Sequence, residues 1–292
     1  MTPLRTLASI WAIARNTCLE AFRQKVLNLL LLFALVAIGS ANLFTGFTFD
    51  EQIKFLKDFS FGAMTVFGTL IAVMGTAQTV QGEIETRTLH TVLVRPVSRG
   101  TFLLGKFTGI ALVLASAFAL MTTVFAGVMA VKEHQLVAAE VASVPAGQPV
   151  DEATVHRIGQ IERQVRDPQL AKALVLTGAK TLFIAGFALL FATVSTSTIF
   201  TVSTTLLVYL VGHLEGIARD AWTGGGGSWL ARTFLGVVSV IVPDFGSYGI
   251  LDDILAGTVV PWAHVASLVG YTAVYLVVIL GAARLIFDAR EL

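Results

Sequence analysis

Gly100, Gly105 and Lys106 stand at the spacing of a Walker A loop, GxxxxGK, whose backbone amides cradle phosphates while the lysine reaches the phosphoryl oxygens. Three features argue against a nucleotide site there. Position 107 is Phe where a Ser or Thr should hold magnesium, the intervening Thr101, Phe102, Leu103 and Leu104 are bulky, and a long apolar run follows with no strand before the loop. The other reactive side chains are dispersed. His90, His134, His156, His213 and His264 show no HExxH or equivalent pairing of histidines with a carboxylate, which a zinc enzyme requires. His213 and Glu215 suit hydrogen bonding at an interface better than metal ligation. Cys18, the single cysteine, allows neither an intrachain disulfide nor a CxxC site. Met64, Met74, Met121 and Met129 are ordinary packing for so apolar a chain rather than a path for a soft metal. The expectation is a chain that is not itself an enzyme, with no catalytic residue, bound cofactor or metal.

Composition says where such a chain resides. Of 292 residues, 55% are hydrophobic and 13% charged, and the mean hydropathy is +0.79. A soluble domain is less apolar, at about 45 to 50%. The net charge of +1 leaves no basic field for a nucleic-acid partner. Crossing about 30 Å of hydrocarbon takes roughly 17 to 25 apolar residues, and six segments qualify, near 27–46, 59–80, 103–131, 176–195, 198–214 and 264–286. The run 231–242 is too short and ends in Pro243 and Asp244, so it is expected to be interfacial or re-entrant. Arg5, Arg15 and Arg23 interrupt the first apolar stretch, so a cleaved signal is not expected and the first span inserts itself. The fold class that follows is an all-α polytopic membrane protein, a single transmembrane domain over 1–292, with six transmembrane helices.

Six crossings put both termini on one side. With the N-terminus inside, residues 1–26, 81–106, the turn after 195 and the tail from Arg284 carry ten Lys and Arg against five acids; the other regions carry ten against fourteen. The positive-inside bias therefore favours a cell membrane protein with both termini cytoplasmic. Trp222, Trp229 and Trp262 fall in the far-side segment 215–263 and are expected as interface anchors. In residues 1–26, Leu4, Leu7, Trp11, Ala14, Cys18 and Phe22 recur every three or four positions, the stripe of an amphipathic elbow helix lying in the membrane surface, with Trp11 as an anchor. Residues 132–172 form an extracytoplasmic insert, expected as a small helical hairpin. A turn falls at Pro145–Pro149, Asp151 serves as N-cap, Val155, Ile158, Ile161 and Val165 make the apolar face, and Asp167-Pro168 stops the helix. The insert is either a solvated spacer or a dock for an extracytoplasmic partner. Gly224–Gly227 is a flexible joint.

Between the second and third spans lies the polar stretch Gly82 to Lys106, GEIETRTLHTVLVRPVSRGTFLLGK. Glu83 to Arg95 is expected as a short helix with an apolar patch of Leu89, Val92 and Leu93, stopped by Pro96, with Ser98 capping the next helix. Arg99 and Lys106 are expected at the inner headgroup level, where snorkelling and anionic lipid stabilise them. An amphipathic helix on the cytoplasmic face can dock in a partner's groove.

Glu83, Glu85, Thr88-Leu89, Leu93, Pro96, Arg99-Gly100 and Leu104-Gly105-Lys106 resemble the cytoplasmic loop of ABC-2 type transporter permeases. The similarity is strongest to the subgroup involved in multicopper enzyme maturation, which includes the permease of nitrous oxide reductase assembly. Six spans, the N-terminal amphipathic helix and the charged tail 287–292 extend it over most of the chain, although the motif covers about 25 residues. The resemblance implies a coupling helix that docks on a separate ATPase subunit. Coupling would run through Glu83, Glu85, Thr88, Leu89, Val92, Leu93, Pro96 and Arg99. It also implies a permease dimer, formed with a second copy or a paralogue, and two ATPase copies that bind the ATP and Mg. The insert at 132–172 is longer than in more compact relatives.

An ATP-driven pump needs a hydrolytic engine, and no complete Walker A or nucleotide-binding domain is present, so a second polypeptide must supply it. Closure of that engine on Glu83 to Arg95 would tilt spans two and three and alternate access. Thr65, Thr69, Thr76, Gln78 and Thr79 in span two, and Thr198, Thr201, Ser203, Thr204 and Thr205 in span five, form uncharged polar stripes toward substrate, but such hydroxyls commonly back-bond within membrane helices. An ATPase-independent secondary transporter or channel is the rival; it ordinarily places ionisable groups near the midplane, whereas here Lys180 falls near an outer end and Lys106 near an inner one. A membrane anchor of an assembly complex is the second rival.

Overall fold

In the computed structural model, the residues described are 3–43, 49–85, 98–144, 151–223 and 243–289, with backbone alone at 3–5, 49–50, 83–85 and 215–223. They are predominantly helical, without a strand among them. In chain order the helices are α1 (Pro3–Arg23), α2 (Lys25–Ser40), α3 (Phe49–Glu85), α4 (Arg99–Ala142), α5 (Glu152–Val165), α6 (Leu170–Val194), α7 (Thr198–Thr223), the one-turn α8 (Leu251–Leu255) and α9 (Trp262–Ala289). Among the described residues, five helical stretches are long and apolar enough to cross a membrane, and the apolar part of α7, Thr198–Leu214, is a shorter sixth. The chain is an all-α polytopic membrane protein.

Burial is arranged for a lipid solvent. At the centre stands α6, packed against α3, α4, α7 and α9, with Phe183, Ile184, Ala185, Ala188, Leu189 and Ala192 inaccessible. The outer faces of α2 and α9 expose Leu32, Phe33, Val36, Val274, Val277 and Leu285, which in water would be an aggregation surface and in hydrocarbon costs nothing.

Three elements differ from the sequence expectation. First, α3 begins at Phe49, ten residues ahead of the expected span. Its early charges obscure a helical period in which Ile53 and Leu56 are buried at 1% and 2% exposure. Second, α4 does not stop at 131 but runs on to Ala142, because no Pro or Gly interrupts the helix-forming residues after Val131. Its extension is one arm of the insert. The other arm, α5, returns along it, held by Arg166 to Glu133 at 2.9 Å and Arg157 to Glu140 at 3.5 Å. Ile161 and Val165 are buried as expected, but Val155 is exposed and Thr154 takes its inward place. Asp151 occupies the N-cap position without a side-chain capping bond; its carbonyl receives the amides of Thr154 and Val155. Third, the stripe on α1 is not one face: Leu7, Trp11 and Phe22 are exposed at 63%, 59% and 41%, whereas Ala14 is buried together with Thr17 and Ala21, which the stripe did not include. The small residues lie against α4 at Gly105 and Gly109, where an added Cβ would come within 2.7 Å of Ile13 Cβ and 2.6 Å of Thr17 Cβ. Two glycines four apart let the helix backbones approach as in a membrane small-xxx-small contact.

Pro145–Pro149, Gly224–Gly227, Trp229 and the run 231–242 lie outside the described residues.

Candidate functional site

One end of the bundle gathers the last turns of α3 and the first of α4, and so both ends of the segment 86–97. Thr88, Leu89, Val92, Leu93 and Pro96 lie outside the described residues, and Glu83 and Glu85 are placed by backbone alone in the last turn of α3. The geometry of interest is how the helices on either side of that segment are held.

After Pro96 the chain enters α4 through Ser98, which is extended at φ −69° and ψ 147°. Its Oγ accepts the Thr101 amide at 3.2 Å, the capping bond expected from the sequence. Arg99, the next residue, donates from one guanidinium nitrogen to the carbonyls of Phe287 at 2.6 Å and Asp288 at 3.1 Å. Those carbonyls belong to the last described turn of α9. The Arg99 guanidinium also covers the Phe287 ring at 5.7 Å, and Phe102 stacks on that ring at 6.1 Å. The start of α4 is thereby clamped to the end of α9.

Two turns into α4, Lys106 is 1% exposed. Its Nζ donates to the Thr79 carbonyl of α3 at 3.1 Å, lies 3.7 Å from the Glu20 carboxylate of α1 and sits 5.8 Å from the centre of the Phe102 ring. The expectation that Lys106 reaches headgroups is therefore corrected. Because α1 crosses α4 at Gly105 and Gly109, the side chain that would have snorkelled is enclosed by protein and finds its acceptors there. Lys106 also cannot act as a phosphate lysine, since Gly100 and Gly105 lie within a continuous helix and its ammonium is already engaged.

A third tie holds α3 to α7. Gln81 donates from Nε2 to the Ser197 carbonyl at 2.9 Å and the Thr201 hydroxyl at 2.6 Å. Beneath these polar ties lies an apolar cluster of Val80, Phe102, Leu103, Leu189, Ala192, Ala283 and Phe287, drawn from α3, α4, α6 and α9. Every helix reaching this end is joined to a helix that borders the 86–97 segment. Glu20, Gln81 and Phe287 did not emerge from sequence reasoning. Glu20 lies on the polar side of the α1 stripe, and a helix end 188 residues away leaves no local signal at Arg99.

Of the ten stripe residues, Thr65, Thr76, Thr79 and Thr205 donate to carbonyls one turn earlier in their own helices, Thr201 Oγ1 accepts from Gln81, and the Thr69 hydroxyl is buried without a partner among the described residues. Trp11 and Trp262 are both largely exposed, on helices near opposite ends of the bundle, and the side chain of Trp222 is not described. Among the described residues, no group of three or more His, Cys, Asp or Glu could hold a metal ion.

A family model described as ABC-2 family transporter protein matches residues 11–218. The chain belongs to this family. Two curated relatives, each described as a probable ABC transporter permease protein NosY, come from Pseudomonas aeruginosa and Stutzerimonas stutzeri. Each is 35% identical to this chain over 114 residues, 37% of this chain and 41% of the relative. The chain thus spans about two-fifths of the length of the curated relatives it matches. In this ABC-2 family member the match ends before α9, so the Arg99 clamp joins a matched helix to one beyond the match.

Proposed function

We propose that this chain is the membrane-spanning permease subunit of an ATP-binding cassette transporter, moving a substrate across or out of the cell membrane with ATP hydrolysed by a separate subunit. In this reading two ATPase copies dock on two permease chains through the segment 81–106, which faces the cytoplasm together with both termini. Glu83 and Glu85 supply charge, and Leu89, Val92 and Leu93 the apolar patch, that meet the ATPase groove, while Arg99 serves coupling through its hold on α9. ATP and Mg belong to that partner. Trp11, Trp222, Trp229 and Trp262 anchor the two interfaces. The insert at 132–172 faces the opposite side and is available to an extracytoplasmic partner.

One observation carries the reading. The two helices bordering the segment are tied to α1, α7 and α9 by Lys106, Gln81 and Arg99. A push on the segment would then be delivered to the bundle as rigid-body rotation rather than lost in bending of one loop. The test is purification of the complex from native membranes. ATPase subunits should accompany this chain, and Glu85→Ala or Leu89→Asp should release them or abolish coupled hydrolysis; transport that persists with no ATPase bound would replace the reading with a secondary transporter.

A further inference from the structure

Lys180, on α6 and about 15 Å along the helix from Leu170, is 5% exposed and takes no part in the frame around 86–97. Its ammonium faces the Tyr209 ring of α7, 5.3 Å from the centre. No hydrogen-bond acceptor or carboxylate among the described residues holds it. Two other buried lysines have acceptors: Lys106 the Thr79 carbonyl and Glu20, and Lys172 the Val260 carbonyl at 2.7 Å. Lys57 and Lys132 are buried as well, Lys57 with Asp167 in electrostatic reach as Lys180 has Asp244; what sets Lys180 apart is the aromatic ring its ammonium faces and the loop that closes beside it.

The carboxylate in electrostatic reach of Lys180, Asp244, is committed elsewhere. Its Oδ1 accepts the amides of Gly246 at 2.9 Å and Ser247 at 3.2 Å, and its Oδ2 accepts the Ser247 hydroxyl at 2.5 Å. It holds a turn and compensates the lysine only at a distance. Beyond Tyr209 the packing is aromatic. One turn along α6, Phe183 packs at 5.4 Å on both Phe245 and Tyr275, and Tyr209 packs at 5.9 Å on Phe245 and stacks on His213 at 6.0 Å.

A buried ammonium in a membrane-spanning helix is costly without an acceptor, and such groups persist where they meet an opposite charge during function. We infer that Lys180 is the recognition group of an internal site for an organic anion, whose charged end supplies an acceptor that no described residue provides and whose flat apolar body lies against Phe183, Tyr209, Phe245 and Tyr275. As a cargo site it rests on the permease reading; as a binding site it stands on its own geometry. In this conformation it is shut. The Phe245 amide donates to the Gly212 carbonyl at 2.9 Å, and a Cβ at Gly212 would lie 2.5 Å from the Pro243 carbonyl oxygen, so the 243–245 loop seals directly on α7. Entry requires that seam to part.

The probe is naphthoate, with its uncharged amide as the matched control, titrated by fluorescence against the full chain with its co-purified ATPase in nanodiscs. Naphthoate should bind saturably and the amide about tenfold or more weakly. Lys180→Met should lose the preference for the acid, and Lys180→Arg should keep it. If Lys180→Met does not fold, Lys180→Gln carries the comparison. Equal affinity for acid and amide, no binding of naphthoate, or an unchanged preference in the folded neutral variant overturns the site. Basal hydrolysis in the same sample separates the two claims: hydrolysis with no acid preference removes the anion site alone, whereas acid preference in a chain that never binds an ATPase removes the permease reading alone.

Discussion

Lys106 and Glu20 form one ion pair, yet their removal should not be equivalent. The lysine is 1% exposed and also serves the Thr79 carbonyl, whereas Glu20 is 37% exposed and can return to water. Lys106→Ala therefore removes a buried charge-assisted tie and leaves a void, costing about 3 kcal/mol. Glu20→Gln should cost less, about 1 to 2 kcal/mol, because the buried ammonium loses its counter-charge but keeps the Thr79 carbonyl. Thermal unfolding of the two variants in the same detergent checks the order, and a larger loss for Glu20→Gln would mean that the carboxylate, not the carbonyl, holds the lysine. Arg99 makes a different claim. Its two carbonyl acceptors lie on α9, so Arg99→Ala should leave the fold near wild type, lose about 1 to 2 kcal/mol from the clamp, and lower coupled hydrolysis while ATPase subunits still co-purify. Lys106 illustrates what sequence could not show here. A lysine near the end of an apolar run is equally compatible with snorkelling and with burial, and only the passage of α1 over Gly105 decides between them.

At the scale of elements, α1 turns Ala14, Thr17, Ala21 and the Glu20 carboxylate toward α4 and leaves Leu7 and Trp11 exposed. Gly109→Leu should force the helices apart, because its first carbon already conflicts with Thr17 Cβ and the Ala14 carbonyl. The expected result is a loss of about 1 to 3 kcal/mol and faster proteolysis of α1 in native membranes. Unchanged protection would show that α1 is not held by this contact. The α4–α5 hairpin is the opposite case. Arg166 is 72% exposed in its pair with Glu133, so Arg166→Gln should change stability by about 0.5 kcal/mol or less, with the effect fading in high salt. Long hydrophobic runs and breakers made most of the elements legible: Asp167-Pro168 ends α5, Ser98 caps α4, and α2, α6 and α9 fall close to the expected spans. What escaped was carried by context. The first ten residues of α3 hide two core positions among charges, and the stripe on α1 merged two faces that only a neighbouring helix separates.

Across the whole molecule, the start of α4, the ends of α3 and α9 and the body of α1 meet at one end of the bundle, with α6 running through the middle. The α4–α5 hairpin and the Lys172 contact with Trp262 lie toward the other end. The direct test is a set of single cysteines at positions 89 and 93, with Cys18 replaced, cross-linked in native membranes. The account predicts that both positions are reached from the cytoplasm and form an adduct with an ATPase subunit that changes with bound nucleotide. Labelling only from the opposite side of the membrane, or no adduct with an ATPase in actively transporting membranes, would contradict it.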